Sequence, residues 1–243
     1  MPFQSQDLSS NLVQELDCFL KINNFPDLFR KYEWENDTHD KQFPDIYNLE
    51  VRLSKSDMEG GITLDNVRGV AEWGGLPNLG RIRGNNIVAP QNTFNVSSGG
   101  PIPNLASRPG IPIAIISEVE GIGPTYQSKV LRFALAQEYG AIDTRCVRVF
   151  GQGSPATQKH EWLDLVATQG APNRWSIPEV QQNWPAGYSV WINILRYLAN
   201  NLPKNCPHTS NFVNGGLRKT GEWSCADVEM ALFTYASEAI AAI

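Results

Sequence analysis

The sequence lacks the features of membrane and secreted proteins. Its 243 residues contain no uninterrupted apolar run approaching the roughly 20 residues needed to cross a bilayer. The first segment, MPFQSQDLSSNLVQELD, has no basic stretch followed by an apolar one, which a secretory leader would require. We therefore expect a cytoplasmic protein without a membrane-spanning helix.

Cysteine and histidine are scarce and scattered. The four cysteines form no CxxC pair and no cluster, which argues against a zinc or iron–sulfur site. His160 and His208 have no partners at metal-ligand spacing, so we interpret them as structural or surface residues. The expectation is reduced thiols, no metal and no cofactor.

A surplus of positive charge is absent as well. The formal net charge is −5, which argues mildly against a protein that coats nucleic acid without regard to sequence. Basic residues are nevertheless concentrated in the middle of the chain: Arg81, Arg83, Arg108, Lys129, Arg132, Arg145 and Arg148. This concentration permits an anionic ligand there, and a solvated surface of mixed charge is the alternative.

Helical periodicity is what the sequence does contain. Apolar residues recur at helical spacing in several segments, whereas alternating strand patterns are scarce. Two segments carry N-cap signals, Thr63 in one and Ser224 followed by Asp227 in the other. We predict a mainly α fold, with helices in residues 8–22, 63–73, 111–120, 124–137, 157–170, 187–201 and 224–243.

A long stretch interrupts this pattern in the middle of the chain. Residues 74–110 are rich in Gly, Pro, Asn and Ser and show no clear period, so we predict an irregular loop. A loop of this length inside a compact domain is usually functional or mobile. One hypothesis for the protein involves no nucleic acid and places an unrelated ligand under this loop.

The segment VEGIGPTYQSKVLRFALAQEYGAIDTRCVRVFG, residues 119–151, carries most of the functional information. Gly121-Ile122-Gly123 predicts a tight turn with positive φ, and Pro124 suits the first turn of the following helix. The first amides of that helix have no intrahelical partners and lie at the positive end of its dipole, so they can bind a phosphate. The alternative for a lone GxG is an ordinary turn between helices.

Together with its surroundings, this segment resembles the helix-hairpin-helix DNA glycosylase superfamily, which includes endonuclease III and the 8-oxoguanine glycosylases. Members share a hydrophobic-x-Gly-hydrophobic-Gly hairpin, an amphipathic helix, and a turn that ends in an Asp before another helix. Val119, Gly121, Ile122 and Gly123 match the hairpin, and Asp143 in AIDTRCVRV matches the acidic residue. The match covers about 33 residues well and extends only weakly to the rest of the chain.

The resemblance implies a two-lobed helical fold and an enzyme that removes a damaged or mismatched base from double-stranded DNA after flipping it out of the stack. One helical domain is expected in residues 25–142, with the hairpin at 119–125, and a second in residues 1–24 plus 143–243. We expect a monomer. The residues expected to bind DNA are Gly121, Ile122, Gly123, Thr125 and Tyr126.

Asp143 is the expected catalytic carboxylate. Breaking the N-glycosidic bond develops oxocarbenium character on the deoxyribose, and a carboxylate can stabilise that charge and orient the nucleophile. The alternative role for Asp143 is the N-cap of the next helix, worth ~1 kcal/mol. The two roles are compatible, because capping would also hold the carboxylate in place.

A lysine is the second catalytic candidate. Members that also nick the DNA backbone carry a lysine two residues after the second hairpin glycine, and Thr125 occupies that position here. We therefore expect base removal without strand nicking. Lys129 lies one turn further along the helix, about 6 Å away, where desolvation would lower its pKa and make it nucleophilic. A phosphate contact or an exposed lysine is the alternative.

Some expected features are missing. No counterpart is recognisable of the helix that usually fills the gap left by the flipped base, and the C-terminal cysteine cluster of many members is absent. A non-catalytic helix-hairpin-helix protein that only binds DNA is therefore the alternative function. Trp34, Trp73 and Tyr126 are able to stack on a base, and core packing is the alternative for each.

Overall fold

The computed structural model describes residues 8–55, 61–85, 116, 118–152, 155–170 and 174–243. Within these residues the fold is mainly α, as predicted, with two small antiparallel sheets of two strands each. The helices are α1 (Ser10–Ile22), α2 (Phe25–Arg30), α3 (Pro44–Leu53), α4 (Leu64–Trp73), α5 (Pro124–Ala134), α6 (Thr144–Phe150), α7 (Ala186–Asn201), α8 (Ser210–Asn214) and α9 (Cys225–Ala241). The strands are β1 (Glu33–Trp34), β2 (Asp37–Thr38), β3 (Thr168–Gln169) and β4 (Trp175–Ser176), and a 3-10 turn covers Leu79–Arg81.

Local capping signals determine where several helices begin. The Thr63 side chain accepts a hydrogen bond from the Asn66 amide at the start of α4, as predicted. Ser224 and Asp227 form a reciprocal capping box at the start of α9. Both predicted caps are therefore confirmed. They were predictable from the sequence because each depends on atoms only three residues apart.

The helix predicted at residues 157–170 is wrong. Leu163, Leu165 and Ala167 are buried while the residues between them are exposed, which is the two-residue period of extended chain. The backbone of this segment pairs with Gln152, whose amide donates to the Leu165 carbonyl at 2.7 Å. Apolar side chains at this density are compatible with a helix or with extended chain, and tertiary packing favours the extended chain here.

The irregular segment in the middle of the chain is partly described. Residues 74–85 contain the 3-10 turn, and Arg83 then pairs with Glu120 through two backbone hydrogen bonds of 3.2 and 2.9 Å. This pairing joins the segment to the hairpin. The remainder of the predicted loop at 74–110, and most of the helix predicted at 111–120, lie outside the described residues.

Helix α9 lies at the centre of the packing. It contacts α2, α6 and α7, while α5 packs against α3 and α4. Every residue of α9 from Cys225 to Thr234 is buried, so its polar side chains, Asp227 and Glu229 among them, need partners inside the protein. The division into domains 25–142 and 1–24 plus 143–243 stays a prediction. Among the described helices, none has the length and apolar character to cross a membrane.

Candidate active site

The turn of the hairpin requires a glycine at position 121. Gly121 has a φ of +85°, and a Cβ there would collide with the backbone carbonyl of Arg81. Ile122 is buried and anchors the turn in the core, as predicted. The expectation of positive φ is wrong for Gly123, whose φ of −105° and ψ of −176° are open to any residue.

Gly123 instead leaves an open backbone surface. A Cβ at this position would meet no atom within 4 Å. The amides of Tyr126 and Gln127 donate to the Gly123 carbonyl at 2.9 and 3.0 Å. The amides of Ile122, Gly123 and Thr125 have no acceptor among the described residues. Three donors at a helix N-terminus that have no acceptor among the described residues suit a close anionic group.

Lys129 is enclosed by aromatic rings. Its side chain lies on α5 and the residue is only 6% exposed. The Nζ atom lies 4.7 Å from the ring centroid of Trp34, 5.0 Å from that of Trp73 and 5.6 Å from that of Tyr126. Within the described part of the chain, no carboxylate lies within 4.0 Å of this ammonium group. Burial lowers the pKa of Lys129, and the charge of Asp143 partly opposes this shift.

The rings around Lys129 are held by their own polar atoms. The Trp34 indole donates to the Trp73 carbonyl at 2.9 Å, and the Trp73 indole donates to Asp37 at 2.7 Å. The Tyr126 hydroxyl donates to the Gly74 carbonyl at 3.0 Å. These hydrogen bonds fix the orientation of each ring, so Lys129 lies in a preformed enclosure.

Asp143 caps α6 and lines the same enclosure. Its Oδ1 atom accepts a hydrogen bond of 2.9 Å from the Arg145 amide, so the predicted capping role is confirmed. The residue is 9% exposed. Among the described residues nothing donates to its Oδ2 atom, which leaves one carboxylate oxygen for other partners. Its catalytic role stays a prediction.

A small cavity brings these side chains together. It has about 10 Å³ of space for the centre of a water molecule, which is room for about one water. Both catalytic candidates from the sequence, Lys129 and Asp143, line it. The complete lining consists of Tyr32, Trp34, Trp73, Lys129, Arg132, Ala141, Asp143, Glu229 and Phe233.

None of the predicted DNA-binding residues belongs to the lining of this cavity. Tyr126 reaches it through its contact with Lys129, and burial together with the charge of Asp143 raises the pKa of its hydroxyl. Thr125 is partly exposed on the first turn of α5 and does not line the cavity. Their binding of DNA stays a prediction.

Glu229 is the acidic residue that the sequence interpretation missed. It lies on α9, is 5% exposed, and places Oε2 3.7 Å from Nε of Arg132. Burial raises the pKa of Glu229 to about 7, although the charges of Arg132 and Lys129 oppose this. A signal was available, because Glu229 is a lone charge inside the apolar run VEMALF.

A buried ion-pair network extends from Arg132, one of the residues that line the cavity. Arg132 donates from Nη1 to Oε1 of Glu50 at 2.7 Å, and Arg218 donates to the other oxygen of Glu50 at 2.7 Å. Arg218 also pairs with Asp227 at 2.9 Å. Because Glu50 takes the shorter contact with Arg132, Glu229 is only partly neutralised by that arginine.

A second polar cluster lies at the far end of this network. Ligand-type atoms of Cys206, His208 and Asp227 lie within 4.8 Å of one another. However, the Asp227 carboxylate already accepts from Arg218, from the Ser224 hydroxyl at 2.6 Å and from His208 at 3.1 Å. We interpret the cluster as a hydrogen-bonded cap of α9, because Arg218 already supplies the positive charge there. The expectation of no metal stays a prediction.

Comparison with known proteins gave no match, since no family model, curated protein or solved structure proved significantly similar to the chain. The functional conclusion therefore rests on the residues and their geometry.

Proposed function

We propose that the protein is a DNA N-glycosylase whose chemistry takes place at Lys129 and Asp143. One observation carries the proposal. The two residues, which the glycosylase resemblance indicates, are 14 positions apart in the sequence and line one cavity. A lysine and a carboxylate beside each other in an enclosed site are suited to breaking a bond that leaves positive charge on a sugar.

Asp143 supplies the stabilising charge. As the N-glycosidic bond breaks, the bonding electron pair leaves with the base and oxocarbenium character develops on the deoxyribose. The Asp143 carboxylate, oriented by its bond to the Arg145 amide, stabilises that charge through the oxygen that the cap does not use. Its position is set before the substrate arrives, so no reorganisation is needed during the reaction.

The surroundings of Lys129 favour covalent chemistry, and hence strand nicking. Thr125 favoured base removal alone, because a threonine hydroxyl cannot form an imine. The contacts of Lys129 favour the other outcome: it is buried, its pKa is lowered, and it has no ion-pair partner within 4.0 Å among the described residues. A neutral Nζ can bond to C1′ as the N-glycosidic bond breaks and the base leaves with the bonding pair. The C1′–O4′ bond then opens, one proton passes from Nζ to O4′, and a protonated Schiff base results.

The hairpin supports the binding of the strand. The amides of Ile122, Gly123 and Thr125, which have no acceptor in the part of the chain that the structure describes, lie at the start of α5, the helix that carries Lys129. A phosphate bound there would hold the backbone close to the cavity. The absence of any atom near a Cβ on Gly123 leaves room for this approach.

The size of the cavity favours the alternative, a protein that binds DNA without breaking a bond. A nucleobase is much larger than the single water for which there is space. A base can therefore enter only if the rings around Lys129, those of Trp34, Trp73 and Tyr126, move apart.

The test is a gel assay on a panel of duplexes that each contain one altered or mismatched base, run with and without alkali. We expect strand breaks from at least one duplex, and for Lys129→Gln to lose the breaks formed without alkali. Lys219→Gln, whose side chain is 85% exposed, is the matched control and should behave as the wild type. Binding without base release across the panel would establish the DNA-binding alternative. Absence of salt-dependent DNA affinity would favour a different ligand.

A further inference from the structure

Lys129 has to lose a proton before it can attack a sugar carbon. Its side chain is enclosed, so the proton needs an acceptor within the cavity. Two carboxylates line that cavity, Asp143 and Glu229. Asp143 has to remain ionised to stabilise the developing positive charge, and a protonated Asp143 would lose that function.

Glu229 is the carboxylate that remains. The groups that act on it are Lys129 and Arg132 from α5 and Asp143 from the start of α6. Arg132 is shared with Glu50, which takes the closer contact at 2.7 Å, against 3.7 Å for Glu229. Glu229 is therefore less strongly held as an anion than a fully paired carboxylate would be.

We propose that Glu229 accepts the proton that Lys129 gives up, and so makes Lys129 nucleophilic. This inference rests on the proposed function. Lys129 and Glu229 form no ion pair within 4.0 Å, and the cavity between the side chains has room for about one water. One water is enough to relay a proton from Nζ to the carboxylate.

The proton balance of the step that displaces the base is then closed. Nζ passes one proton to Glu229 and forms a bond to C1′, while the N-glycosidic bond breaks and the base leaves with the bonding pair. The departing base takes up one proton, which the Glu229 carboxyl can return. A pKa raised by burial to about 7 suits a group that has to accept and release a proton near neutral pH.

Simple electrostatics predicts the opposite effect of removing this carboxylate. The negative charge of Glu229 raises the pKa of Lys129, so replacing Glu229 with glutamine would leave more of the lysine neutral at any pH. If Glu229 acts only as a charge, Glu229→Gln should react as fast as the wild type or faster. If Glu229 accepts the proton, the variant should be slower.

The test measures how fast a duplex containing one abasic site is trapped on the enzyme by borohydride in a single turnover. Nζ adds to the C1′ aldehyde, one water is lost, and hydride from borohydride reduces the imine to a stable secondary amine. We expect Glu229→Gln to be trapped about 100-fold more slowly. Added formate should restore part of the rate in Glu229→Ala, because formate can occupy the space of the lost carboxylate. Glu238→Gln, on the exposed part of the same helix, should match the wild type.

The outcomes separate this inference from the function on which it rests. If the wild type forms no adduct, both the covalent function and the role of Glu229 are wrong. If the wild type forms an adduct and Glu229→Gln forms it as fast or faster, only the role of Glu229 is wrong. A slow Glu229→Ala variant that binds DNA and melts like the wild type, but does not respond to formate, would also overturn it.

Discussion

Replacing Asp143 with asparagine or alanine separates the two roles of its side chain. In the folded protein, Oδ1 accepts one hydrogen bond of 2.9 Å from the Arg145 amide. Asparagine keeps an oxygen at this position and removes only the charge, whereas alanine removes both. The two variants therefore distinguish the cap from the carboxylate at the same place in the cavity.

The expected stabilities follow from the cap alone. Asparagine and aspartate are nearly equal as N-caps, so Asp143→Asn should change the free energy of unfolding by less than about 0.5 kcal/mol. Asp143→Ala should lose about 1 kcal/mol, which lowers the melting temperature by about 2–4 °C in a chain of this size. Thermal unfolding followed by circular dichroism measures both values.

The expected activities depend on the charge. Both variants should release base at least about 100-fold more slowly, because a preorganised charge at the reacting sugar is lost. Protonation of Lys129 cannot explain such a loss. Asp143 raises the pKa of Lys129, so removing its charge makes the lysine more easily deprotonated. DNA affinity, measured by fluorescence anisotropy, should be retained in Asp143→Asn.

Two results would refute this reasoning about Asp143. Equal melting temperatures for the asparagine and alanine variants would show that the cap contributes nothing to stability. Full activity of Asp143→Asn would show that the carboxylate has no part in the chemistry, and the residue would then be only a cap.

Three further predictions concern the hairpin, the cavity and the ion-pair network. Gly123→Ala should change the free energy of unfolding by no more than about 1 kcal/mol yet weaken DNA binding, whereas Gly121→Ala should cost about 1–3 kcal/mol from backbone strain. Unfolding experiments measure the stabilities and anisotropy titrations measure DNA binding. Unchanged DNA binding by Gly123→Ala would exclude a phosphate at the hairpin. Because the pKa of Glu229 is raised to about 7, the folded protein keeps a proton that the unfolded chain releases between about pH 4.5 and 7. The free energy of unfolding, relative to that of Glu229→Gln, should therefore fall as the pH rises through this window. A difference between the two proteins that stays constant with pH in urea unfolding would contradict the raised pKa. Arg218→Leu removes the guanidinium that pairs with both Asp227 and Glu50, and should cost about 3–5 kcal/mol. A loss below about 1 kcal/mol in the same measurement would show that Arg218 contributes little to stability.

Several parts of the site were predictable because they depend on short-range geometry. The turn at Gly121 and the cap at Asp143 each follow from residues close together in the chain. The resemblance of segment 119–151 to the glycosylase hairpin also led to the prediction that Asp143 and Lys129 belong to one site. Positive φ at Gly123 was a wrong prediction, because a GxG pattern does not reveal which glycine makes the turn.

Other parts were not predictable because they depend on long-range packing. The segment 157–170 has enough apolar residues for a helix, and its backbone pairing with Val149, Phe150 and Gln152 keeps it extended. Trp34 and Trp73 are 39 residues apart, so nothing local indicates that their rings enclose the same lysine. Glu229 lies 100 positions from Lys129, and its proximity exists only because α9 packs in the centre of the fold.

The sequence by itself determined the mainly α class, the caps and the hairpin, since backbone hydrogen bonds and glycine conformation act over a few residues. Together with the glycosylase resemblance, it also indicated Lys129 and Asp143 as the candidate catalytic residues. Only the tertiary structure decided that Lys129 is buried among aromatic rings and that Glu229 shares its cavity. The pKa of each group depends on desolvation and on charges brought close by packing, and those contacts come from helices distant in the chain.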